Sequence, residues 1–264
     1  MAFARLNGLL LHYRLSGRAG APALVLVNSL GTDARIWDAL IEQLAADFRI
    51  LSYDKRGHGL SEAPEGDYSL DDHIADLHAL TAEVGFDRFA LCGVSVGGLI
   101  AQGFALRHAA SLSALILCDT APRIGDAALW NTRIATVRDK GIAALADAIM
   151  ERWFTPDYRQ QHAAQVDGWR TMLTRMPLAG YIGTCATLRD TDLTAEIPTI
   201  ATPTLVVVGD QDASTPPALV RQCADAIPGA RFHEIAASGH IPSIDQPEAL
   251  AALLRHFLKE IGRG

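Results

Sequence analysis

Gly93-Val94-Ser95-Val96-Gly97-Gly98 sets a serine between two glycines at the end of an apolar run, and the helix-like stretch LIAQGFALRHA follows at once. That setting suits a nucleophile. A tight strand-to-helix turn has no room for bulky neighbours, lifts the serine above the sheet and sets it at a helix N-terminus that favours negative charge. A serine hydroxyl also needs a base to take its proton. Of nine histidines, His73, His78, His108, His162 and His256 fall inside helix-like runs, where packing or solvation accounts for them. His240 differs. It sits in Ala237-Ser238-Gly239-His240-Ile241-Pro242, a loop after the last apolar strand, and ligands of open α/β sheets bind outside the C-terminal strand ends.

The base needs an acid lying between serine and histidine in chain order. Gly209-Asp210-Gln211-Asp212 follows an apolar strand and offers two. Asp212, further along the loop, is better placed to reach the histidine, while Asp210 suits a bond to local backbone in the turn. Asp119, after the preceding strand, is an outside candidate. The expected constellation is therefore Ser95, His240 and Asp212. Acyl transfer further requires donors for a developing oxyanion. The backbone N–H of Val96 is one, and that of Leu30 in Asn28-Ser29-Leu30-Gly31 is assigned as the other.

These residues need a frame. Asn7-Gly8 joins two short apolar segments, 3–6 and 9–15, as a hairpin with a type I′ turn. Six near-continuous apolar runs follow, at 23–27, 49–54, 88–93, 112–119, 203–210 and 230–235, the pattern of strands covered on both faces. Helix-like stretches at 33–46, 69–84, 96–109, 216–227 and 246–261 alternate with them, which predicts a mostly parallel sheet of eight strands with helices on both sides. Asp33 and Ser69 are candidate N-caps, Pro217 opens a helix, and Gly85 closes the one over 69–84. From Pro122 to Leu193 no strand is legible. IATVRDKGIAALADAIMERWF and YRQQHAAQVDGWRTMLTRM read as helical, so 122–193 is expected to be a helical cap inserted within a single domain, 1–264.

Composition narrows the classes. With 49% hydrophobic and 20% charged residues the chain reads as an ordinary globular protein. A net charge of −7 disfavours nucleic acid as a partner. No apolar run reaches membrane-spanning length, and the N-terminal stretch does not read as a signal peptide. The four cysteines, Cys92, Cys118, Cys185 and Cys223, are scattered and form no C-x-x-C pair, so no zinc site or disulfide framework is indicated and a cytoplasmic setting fits. Whether copies assemble into a homo-oligomer stays open.

The order Ser, Asp, His on this strand pattern resembles the α/β-hydrolase superfamily over essentially the whole chain. Tyr53-Asp54-Lys55-Arg56-Gly57-His58-Gly59-Leu60-Ser61 resembles that superfamily's D-x-R-G-x-G-x-S loop, a structural element there. Asn28-Ser29 stands where many members carry His-Gly. That departure, the stretch NSLGTDARIWD, the elbow GVSVGG and the segment WNTRIATVRDKG are similar to the 3-oxoadipate enol-lactonases. The resemblance implies hydrolysis of 3-oxoadipate enol-lactone to 3-oxoadipate in the β-ketoadipate pathway, with no cofactor or metal. Some relatives carry a fused decarboxylase domain, which is not expected in a chain stopping at Gly264. The lactone bears a carboxylate, so a cation is expected in the cap. Residues 122–193 hold eight arginines and one lysine against eight acids, a net +1 in a chain of −7. Arginine suits bidentate carboxylate binding. Arg133 is the chosen candidate, with Trp130 beside it; Trp153 and Trp169 are further candidates for the pocket wall. Two other enzymes with the same triad, a general carboxylesterase and a cofactor-free perhydrolase, stay open, as does a carbon–carbon bond hydrolase. A small-molecule binding protein on this fold is the alternative of another class.

Overall fold

The computed structural model describes residues 1–262. β1 (Ala2–Leu6) and β2 (Leu9–Gly17) turn back on each other at Asn7 and Gly8, whose φ angles are 51° and 76°. A two-residue turn of that hand matches the twist of the strands it joins. Six strands follow: β3 (Ala23–Val27), β4 (Arg49–Tyr53), β5 (Phe89–Val94), β6 (Leu112–Cys118), β7 (Thr204–Gly209) and β8 (Arg231–Ile235). They form one sheet in the order β1-β2-β4-β3-β5-β6-β7-β8, parallel from β4 to β8 and antiparallel at β1 and β2. Each of the eight strands was legible, but β8, at the edge of the sheet and mostly exposed, is not covered on both faces as its run suggested.

The chain leaves β3 for β4 on one side and returns to β5 on the other. Ligands bind at such a reversal, outside the carboxyl ends of the strands. Register then decides which loops meet there. Val27 pairs with Gly93, setting the loop after β3 beside the serine turn. Val94 pairs with Cys118, and Gly209 with Ile235, so the loops after β6, β7 and β8 follow in line.

Helices cover both faces: α1 (Asp38–Leu44), α2 (Leu70–Glu83) and α3 (Val96–Arg107) before the cap. Ser69 caps α2 reciprocally. Its hydroxyl accepts from the Asp72 N–H at 3.1 Å, and the Asp72 carboxylate accepts from the Ser69 N–H at 2.9 Å. Ser69→Ala is expected to cost about 1 kcal/mol, read as a lower urea midpoint with an unchanged slope. An unmoved midpoint would remove the box from the fold's energetics.

Residues between β6 and β7 are helical: α4 (Ala127–Lys140), α5 (Ala146–Trp153), α6 (Pro156–Gln161), α7 (Ala163–Thr174) and α8 (Leu178–Asp190). Each of the two long helical patterns read from the sequence is split. Gly141, at φ 74°, ends α4 directly after Lys140, and a basic residue followed by glycine is a stop signal that apolar spacing alone conceals. The second pattern breaks at His162, between α6 and α7. α8 lies hard on the core. A β-carbon on Gly180 would come within 1.9 Å of the Gly57 carbonyl oxygen, and the Thr187 hydroxyl donates to the Tyr68 carbonyl at 2.7 Å. The chain ends with α9 (Pro217–Ala226), α10 (Pro242–Asp245) and α11 (Pro247–Ile261). Among the described residues no helix is long and apolar enough to cross a membrane.

Candidate active site

Ser95 stands between β5 and α3 with φ 60° and ψ −122°, a backbone conformation that costs energy for any residue with a side chain. The surroundings impose it. The Ser95 N–H donates to the Cys118 carbonyl at 3.0 Å, and its carbonyl accepts from the Thr120 hydroxyl at 2.7 Å. A β-carbon at Gly93 would lie 2.2 Å from the Gly97 carbonyl oxygen, and one at Gly97 would lie 2.2 Å from that of Val27. The glycines flanking the serine are thus demanded by backbone-to-backbone contact. Val96 opens α3, so its N–H belongs to the first turn, whose donors have no partner within the helix.

Asp212 and His240 meet. The His240 Nδ1–H donates to Asp212 Oδ2 at 2.9 Å. The same oxygen accepts from the Thr215 hydroxyl at 2.6 Å, and Oδ1 from the Ser214 and Thr215 amides at 2.7 and 3.1 Å. Burial alone pushes this carboxyl up, but the His240 ring and these donors outweigh it and hold Asp212 below the ordinary range. A carboxylate so held fixes one tautomer of the ring and leaves Nε2 as the free, basic nitrogen. His240 is itself pinned, its N–H donating to the Trp153 carbonyl at 2.9 Å. The loop before it is tied to Asp245, which accepts from the Ser238 hydroxyl at 2.7 Å and the Gly239 N–H at 2.6 Å. Burial pushes Asp245 up to about 6.

The sequence suggests that the Asp210 side chain bonds local backbone in its own turn; instead it reaches another loop. Its Oδ1 accepts from the Ser238 N–H at 3.2 Å, across to the histidine loop. The register of β7 with β8 brings those loops together, and sequence spacing does not reveal it. Asp119 also approaches: one potential ligand atom each from Asp119, Asp212 and His240 lies within 4.8 Å of the others. Asp212 already accepts four hydrogen bonds, so the grouping has the character of an acid–base set.

Ser95 and His240 open into one chamber of about 160 Å³, walled by Leu30, Trp130, Arg133, Arg152 and Trp153. That is small beside the roughly 300–1,000 Å³ of sites for drug-sized ligands. The Trp130 Nε1–H donates to the Ile124 carbonyl at 2.6 Å, and the Arg133 guanidinium lies 5.0 Å from the Trp130 ring centre. Arg133 also faces Tyr181, whose phenol burial pushes up against the pull of Arg133 and Arg152. Arg152 was not singled out by sequence. Four other cap arginines, Arg123, Arg159, Arg170 and Arg189, sit in ion pairs with carboxylates. Among the described residues no carboxylate lies within salt-bridge distance of Arg133 or Arg152. Trp169 stays half-buried at the core's edge and is not part of the wall.

The loop that carries Leu30 is fixed from beneath by the 54–61 stretch, a contribution that sequence left undefined. Asp54 accepts from the Ala34 N–H at 2.7 Å and the Leu60 N–H at 2.8 Å. The buried Lys55 donates to the Ser29 carbonyl at 2.5 Å, and the Gly31 N–H donates to His58 Nε2 at 3.3 Å. Burial pushes Lys55 well below its ordinary value despite the nearby Asp54 and Asp33. The Asn28 side-chain amide donates to the Thr32 carbonyl and hydroxyl.

A family model described as alpha/beta hydrolase fold matches residues 22–247. 3-Oxoadipate enol-lactonase 2 of Acinetobacter baylyi is 32% identical over 249 residues, covering 94% of this chain and 93% of that protein. The enol-lactonase from Burkholderia xenovorans LB400 superposes with a TM-score of 0.95 at 38% identity, covering 98% of this chain and 100% of that one. A malate-bound thermophilic esterase from Thermogutta terrifontis gives a TM-score of 0.92 at 28% identity, covering 98% of both chains.

Proposed function

Because this chain belongs to the alpha/beta hydrolase fold family, and within it is related to the 3-oxoadipate enol-lactonases, we propose that it hydrolyses 3-oxoadipate enol-lactone to 3-oxoadipate with Ser95, His240 and Asp212 as its triad. One observation carries the substrate class: two arginines without acidic partners, Arg133 and Arg152, face the same small chamber as Ser95 and His240. A substrate with one reactive acyl group and one free carboxylate matches that division.

His240 Nε2 takes the Ser95 hydroxyl proton as Oγ attacks the lactone carbonyl. The oxyanion forms against the N–H groups of Val96 and Leu30, and Asp212 stabilises the imidazolium. Collapse breaks the ring C–O bond, and the departing enol oxygen receives the proton from His240. The leaving group stays tethered in the acyl-enzyme. Water then attacks, giving its proton to His240, and the second collapse returns that proton to Ser95. The released enol tautomerises to the ketone. Trp130 gives the substrate's apolar face a wall while Arg133 takes the carboxylate.

Purified protein should consume the enol-lactone with kcat/KM in the range of about 10⁴–10⁸ M⁻¹s⁻¹, followed by ultraviolet absorbance, and should act far less well on a neutral nitrophenyl ester. Equal or better turnover of the neutral ester would replace this reading with that of a general carboxylesterase.

A further inference from the structure

Asp119 is a buried carboxyl that the triad does not use. It follows β6 with φ 48° and is completely buried. One oxygen, Oδ1, accepts from the Gly209 N–H at 2.9 Å. The other, Oδ2, has no hydrogen-bond partner among the described residues. An orphaned polar atom in a core is costly, so its retention beside a reactive histidine calls for a reason. Geometry supplies one. Asp119 lies within 4.8 Å of both Asp212 and His240, measured between potential ligand atoms, and the two carboxyls follow adjacent paired strands, β6 and β7.

We propose that Asp119 is a reserve positioning acid for His240, able to hold the imidazole and balance its charge when Asp212 is lost. The inference rests on the reading of Ser95 and His240 as nucleophile and base. With Asp212 ionised, Asp119 keeps its proton. Burial pushes it well above the ordinary carboxyl range, the neighbouring Asp212, Cys118 and Asp245 reinforce this, and the Gly209 N–H opposes it. Two adjacent carboxylates in a dry site do not both ionise. Removing Asp212 takes away one of those charges, and the imidazolium formed during catalysis then favours an ionised Asp119 with its free oxygen toward Nδ1.

The test is a double-substitution cycle in the full-length protein, with folding checked by circular dichroism and a thermal melt. Loss of a triad acid costs about 10⁴ in kcat where nothing replaces it. Asp212→Ala should lose only about 10²-fold, and Asp119→Asn in that background should remove the remaining 10²-fold, toward the unreplaced limit. The residual activity of Asp212→Ala should also rise with pH, since a raised carboxyl must lose its proton before it can serve, and the double variant should lack that rise. Should Asp212→Ala fail to fold, the same comparison in Asp212→Asn decides the point. Equal kcat and superimposable pH profiles with and without Asp119 would overturn the proposal. Activity within tenfold of wild type in Ser95→Ala would instead take away the reading of Ser95 as nucleophile on which it depends.

Discussion

Ser95→Ala removes hydrolysis by a factor on the order of 10⁶, the loss seen when a serine nucleophile that works as one unit with its base is deleted. The expectation follows from how Ser95 is held. Its main-chain groups carry the hydrogen bonds to Cys118, Thr120 and Leu99, none of which involves the hydroxyl. Removing Oγ therefore leaves the turn intact, and thermal unfolding should move little. The variant should still bind the enol-lactone, because the chamber wall and both arginines remain. What survives is the turnover that the oxyanion donors and binding alone provide. Stopped-flow absorbance on wild type and variant distinguishes the cases. Activity within tenfold of wild type would mean that Ser95 is not the nucleophile.

Arg133→Met and Arg152→Met should each lower kcat/KM for the enol-lactone by about 10–10², the worth of a hydrogen bond to a charged group. Methionine keeps the apolar stem and removes only the charge and the donors. The two losses need not add, since both side chains face one chamber. A neutral nitrophenyl ester should respond far less, because it offers no carboxylate. The difference between the two substrates is the informative quantity. A parallel fall for both would mean that these arginines support the chamber wall and do not recognise an anion.

The sheet was readable because every central strand is buried on both faces and so carries a continuous apolar run. The other seven cap arginines were indistinguishable from Arg133 by composition; its place with Trp130 in the segment WNTRIATVRDKG, similar to the lactonases, favoured it. Arg152 escaped for a related reason. It belongs to α5, and its place at the chamber depends on how α5 packs across the sheet's end, which spacing does not encode. The cap helices were located as a block, yet their breaks at Gly141 and His162 were lost in an uninterrupted apolar rhythm. Asp119 stood among the acid candidates by chain order alone. Its closeness to His240 comes from the pairing of β6, β7 and β8, a long-range property with no local signature.

The tie between His240 and the cap carries a consequence for how this scaffold can diversify. The His240 N–H is bonded to the Trp153 carbonyl, and a β-carbon on Gly239 would lie 2.3 Å from that same oxygen. The end of α5 is therefore both a chamber wall and part of the mounting of the base. Changes there alter selectivity and proton transfer together, so most are filtered out by loss of rate. Among the described residues α4, which presents Trp130 and Arg133, has no such bond to the histidine loop. New substrate preferences are expected to accumulate along α4 first, and a library confined to its inward face should yield more active variants than one of equal size around Trp153.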